Sequence, residues 1–116
     1  MSYADQVRVL EEQHRPGPRT VFPYVFRRAK WGLSDAARAA DDHADELERL
    51  DPPSDAVTEH REYVAALRAV AREARQLADQ NGRQSGRELL NDLRALPSFQ
   101  MMVEARKRLL EDLARE

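Results

Sequence analysis

From Leu33 onward the apolar residues recur at steps of three and four: Leu33, Ala36 or Ala37, Ala40, His43 or Ala44, Leu47 and Leu50. That spacing lays them along one stripe of a helix. Beyond Leu50-Asp51-Pro52-Pro53-Ser54 the stripe resumes as Val57, His60, Val64, Leu67, Ala71, Ala74 and Ala78, widened by Tyr63, Val70 and Leu77. A residue before proline is pushed out of the α region, and proline itself suits a first helical turn. The double proline therefore predicts one helix ending near Leu50 and another starting with Asp51 or Ser54 as its cap. An antiparallel hairpin centred on Asp51 and Pro52 sets His43 opposite His60. Its seam is rich in alanine, so the two helices can approach closely.

Shorter elements flank the hairpin. Residues 3–13 predict an amphipathic helix with Val7 and Leu10 on its apolar side and Ser2 as cap; Pro16-Gly17-Pro18 then excludes regular helix. A second entry is expected at Thr20–Pro23, with a bend at Gly32 and a fresh start at Ser34-Asp35. Asn81-Gly82 predicts a stop, and Ser85-Gly86-Arg87-Glu88 has the capping-box pattern ahead of Leu89, Leu90, Leu93 and Leu96. Pro97 ends that short helix, and Ser98 is expected to cap a last one bearing Phe99, Met102, Val103, Leu109, Leu110 and Leu113. The whole predicts one all-α domain over residues 1–116, a compact bundle of four or five helices built on the Pro-Pro hairpin.

Composition narrows the function classes. The chain of 116 residues has no cysteine, which excludes disulfides, thiolate metal sites and cysteine nucleophiles. Its longest charge-free apolar stretch, about Thr20 to Phe26, is far short of a membrane span. Without an apolar signal core after Met1, the expected location is the cytoplasm. Abundant arginine and alanine fit a GC-rich bacterial genome. The net charge of −2 conceals a polarisation: residues 14–31 carry five basic residues and no acid, whereas residues 35–62 carry ten acids against three arginines. Such a chain is not a uniformly basic nucleic-acid binder.

Four candidate constellations follow. His43 and His60, with Glu46 and Glu59 beside them, form the metal alternative: paired imidazoles and inward carboxylates could hold a divalent transition metal such as zinc. The di-iron order, glutamate three before histidine on two helices, is absent, since Ala40 and Val57 stand there. Second is the basic aromatic segment, where Arg19, Phe22, Tyr24, Arg27, Arg28 and Trp31 combine residue types enriched at protein interfaces. The same types suit an anionic surface, either nucleic acid or membrane; as plain structure, the aromatics would close one end of the core. Third, Arg106, Lys107 and Arg108 follow a helix-turn-helix-like joint, but a recognition helix reads bases from its N-terminal residues, here apolar Phe99, Met101 and Met102. Fourth, the acids from Asp41 to Glu48 lack the glycine and ligand spacing of a calcium loop and read as a solvated face. No serine–histidine–acid set, phosphate loop or glycine fingerprint is present.

The run Leu47-Glu48-Arg49-Leu50-Asp51-Pro52-Pro53, followed by His60 and Val64-Ala65-Ala66-Leu67, resembles a pattern in uncharacterised alanine- and arginine-rich helical proteins of actinobacteria. The resemblance covers about residues 33–80. It implies an all-helical fold and brings no activity or functional residue with it. Those proteins often follow a lipoprotein signal; this chain has neither such a signal nor a cysteine to lipidate. The combined expectation is a non-catalytic protein, without cofactor, that acts by association with a protein partner or with itself.

Overall fold

The computed structural model describes residues 2–14, 29–80, 91–92 and 94–115, and the side chains of 29–33 and 80 lie outside that description. Among the described residues there are four long helices: α1 (Tyr3–His14), α2 (Ala29–Glu48), α3 (Val57–Gln80) and α4 (Pro97–Ala114). The protein is all-α. The 24-residue α3 is its axis, with α2 packed along one side, α4 along another, and α1 laid against α2.

The local signals explain most of the helix ends. Ser2 Oγ accepts the Asp5 N–H at 3.2 Å, so the predicted cap of α1 forms. α2 runs unbroken through Gly32 and Ser34, against the expected bend and restart. A glycine in a helix interior weakens it by only about 1 kcal/mol, a deficit that packing of the long helix exceeds. At the far end, residues 51–53 leave regular structure and 54–56 turn before α3 starts at Val57. The Ala56 N–H bonds the Pro53 carbonyl at 2.9 Å, and helical bonding follows from His60 N–H to Ala56. The new helix therefore begins several residues later than Pro52.

Ser98 does not cap α4. Leu96 takes the extended N-cap backbone (φ −63°, ψ 132°), Pro97 fills the first turn, and no side chain caps the end. The Ser98 hydroxyl, buried one position further in, donates to Glu73 of α3 instead. The expected segments at Thr20–Pro23, Asn81-Gly82 and Ser85–Glu88 lie outside the described residues.

The core follows the predicted stripes. Ala37, Ala44 and Leu47 of α2 meet Tyr63, Leu67, Ala71, Ala74 and Ala78 of α3, and α4 adds Phe99, Met102, Ala105, Leu109 and Leu113. Each fully buried leucine or phenylalanine contributes about 1.5–3 kcal/mol by leaving water. Val103, expected on the inner face of α4, is 41% exposed. One residue past Met102 it has turned about 100° away from the buried line, as helical geometry requires. α1 contributes little apolar burial: Ala4 and Val7 are enclosed, with Tyr3 and Leu10 partly so.

Candidate functional site

The third buried residue of α1 is an acid, Glu11. It follows Ala4 and Val7 at helical spacing, so it points inward with them. A buried carboxylate needs donors, and two other helices supply them. Tyr63 of α3 donates its O–H to Glu11 Oε1 at 2.7 Å, and Arg106 of α4 donates Nε–H to Oε2 at 2.6 Å. From α2, His43 brings Nε2 to 3.1 Å of Oε1. Among the described residues, that carboxylate is the one charged group within ion-pair distance of the His43 ring. His43 is held by its faces: it stacks on His14 at 4.5 Å with planes 8° apart, and meets Tyr63 edge-on at 5.5 Å. His14 Nε2 lies 3.3 Å from Glu46.

Electrostatics follow from this enclosure. Burial pushes the Glu11 carboxyl up, but the His43 ring, the Tyr63 hydroxyl and Arg106 together outweigh it and hold the group below its ordinary range. Burial, then the Glu11 charge, raises the Tyr63 phenol far above its usual value. Glu11 is thus an ionised acceptor and Tyr63 a permanent donor. With both carboxylate oxygens of Glu11 engaged inside the bundle, the cluster joins all four helices.

His60 lies elsewhere. Its Nδ1 is 2.7 Å from the Tyr3 hydroxyl, and the rings are 5.6 Å apart and tilted by 51°. Burial, with help from Arg61, lowers its pKa against the opposing pull of Glu48 and the Leu47 carbonyl. His60 also lines an open groove of about 550 Å³ with Leu50 and Val64.

The two predicted histidines are both buried, as the stripe requires, and each has its own ring partner: His43 stacks on His14, and His60 meets Tyr3. His43 meets Tyr63, which lies one turn beyond His60 on α3. Glu46 serves His14, and Glu59 takes part in none of these contacts. The parallel rings of His14 and His43 direct their in-plane lone pairs side by side instead of converging on one point. Among the described residues no group of three or more histidine, aspartate or glutamate side chains can hold a metal ion. The acids of α2 form an ion-pair ridge: Arg68 reaches Asp41, Asp45 and Glu48 at 3.4, 2.6 and 3.0 Å, and Arg75 reaches Asp41 at 2.7 Å. The bonds to Asp45 first, and then to Glu48, raise the Arg68 pKa. Phe99 and Met102 lie in the core, while Arg106 and Arg108 pair with Glu11 and Glu62. Arg19, Phe22, Tyr24, Arg27 and Arg28 lie outside the described residues, as does the side chain of Trp31.

Glu11, the centre of the cluster, was not among the sequence candidates. Its signal was present: an acid on the line Ala4, Val7, Glu11, His14.

No family model, curated protein or solved structure matches this chain. Fold and site define an all-helical bundle whose helices are cross-linked by a buried polar cluster. No helix among the described residues is long and apolar enough to cross a membrane.

Proposed function

We propose that this is a non-catalytic helical protein that acts by associating with a protein partner or a second copy of itself. The contact is the basic aromatic segment of Arg19, Phe22, Tyr24, Arg27, Arg28 and Trp31, carried on a hairpin of α2 and α3 turned by Pro52 and Pro53. The observation that supports this reading is the closure of the polar cluster. The most buried carboxylate among the described residues, Glu11, is bound by Tyr63 and Arg106 inside the bundle, which is a structural and not a reactive use of those groups. The ion-pair ridge adds a second argument. Asp41, Asp45 and Glu48 are engaged by Arg68 and Arg75, so these acids serve the packing of α2 on α3 and not a reactive site. The working place of such a protein is the cytoplasm.

Sedimentation velocity of untagged protein tests the site. An Arg27→Ala, Trp31→Ala variant should associate more weakly while its helical circular dichroism stays unchanged. Association that survives both substitutions refutes the contact. Binding to heparin or anionic vesicles that collapses with salt, in place of protein association, would favour the anionic-surface reading.

A further inference from the structure

All three histidines of the chain sit where α1 meets the other helices. We propose that α1 is an acid-released latch, a helix that leaves the bundle when its histidine contacts take up protons while α2, α3 and α4 stay packed. This does not depend on the association reading.

α1 has 12 residues, too few to persist as an isolated helix in water. Only Ala4 and Val7 of its apolar side chains are enclosed, so polar contacts hold it in place. At one end Tyr3 bonds His60. The groups facing His60 are Tyr3 from α1, Glu48 and the Leu47 carbonyl from α2, and Arg61 on its own helix. Burial and Arg61 both disfavour a charged ring there.

At the other end His14 stacks on His43. Facing this pair are Glu11 from α1, Glu46 from α2, Tyr63 from α3, and Arg106 from α4 through Glu11. Among the described residues, two carboxylates face one arginine and two imidazoles, so these groups sum to zero charge when the rings share a single proton. A second proton leaves them with a net positive charge and sets two cations face to face at 4.5 Å. Withdrawing α1 relieves this by taking His14 away from His43. The apolar core does not respond in this way, because Leu67, Phe99, Leu109 and Leu113 carry no titratable group. A partial opening confined to α1 follows.

Hydrogen exchange of the whole chain at pH 7.5 and 5.0, corrected for intrinsic rates, tests the latch. The amides of α1 should lose about tenfold or more of their protection at pH 5.0, while those of residues 63–78 keep theirs. Unchanged protection in α1, or equal loss in α1 and α3, overturns the proposal. A His14→Gln, His60→Gln variant should keep α1 closed at pH 5.0; release at pH 5.0 alone in that variant shows that the histidines are not the trigger. If the variant has lost α1 already at pH 7.5, the histidine C2–H resonances of the unmodified protein decide. Titration that coincides with loss of α1 protection supports the latch, and titration without opening overturns it.

Discussion

Glu11→Gln tests the central bond of the structure, since it keeps the side chain's shape and removes only its charge. Glu11 is 6% exposed and Tyr63 fully enclosed, so their bond runs in a region water does not screen. A hydrogen bond to a charged, buried acceptor contributes about 1.5–3 kcal/mol. The Arg106 side chain is 38% exposed, so its share is screened and adds no more than about 1 kcal/mol. Glutamine retains one acceptor for Tyr63 but turns an amide N–H₂ toward another donor. Together these effects predict a loss of about 2–3 kcal/mol. For a chain of 116 residues, an unfolding entropy of about 2.1 cal/mol/K per residue converts that loss into a fall in Tm of about 8–12 °C. Urea unfolding at pH 7.5, followed by circular dichroism at 222 nm, measures it, with the slope m unchanged if only stability is altered. Tyr63→Phe and the double variant complete the cycle, in which the losses should be clearly less than additive. A loss below about 0.5 kcal/mol for Glu11→Gln, or strict additivity with Tyr63→Phe, would show that Glu11 is not the charged acceptor described.

Three further outcomes follow from the same geometry. His60 has a folded pKa below the unfolded value of about 6.5, so the unfolded chain binds more protons as pH falls; stability should be full above about pH 6.5 and decline below it. The lowered Glu11 pKa adds a second loss below about pH 4.3, and His60→Gln should flatten only the first; a urea midpoint that rises between pH 7.5 and 5.0 contradicts the sign. Arg68→Ala should change stability by no more than about 1 kcal/mol, an effect that shrinks in 1 M salt, because its partners Asp45 and Glu48 are exposed. Leu109→Ala removes a side chain with no exposure and should cost about 2–5 kcal/mol in the same urea assay, so a near-neutral result would contradict its place in the core.

What could be read in the sequence and what could not divide along a physical line. Ala37, Ala44, Leu47, Val64, Leu67, Ala71, Ala74 and Ala78 were legible because amphipathic spacing is a local property, and all are buried. Gly32 and Ser98 misled for a different reason. Each is a local preference of about 1 kcal/mol that tertiary contacts override. Pairing across helices is harder still, since it depends on the length of the joint. Residues 54–56 turn before α3 starts at Val57, and Tyr63 is the α3 ring that meets His43. Glu11 shows where the limit lies. An acid on an apolar stripe must find donors when it is buried, so the sequence could have named the demand. It could not name Tyr63 and Arg106, which lie 52 and 95 residues away and are chosen by how α3 and α4 pack. The same acid now ties the short α1 to three longer helices. The least self-sufficient helix of the bundle is therefore the one whose attachment depends most on charge.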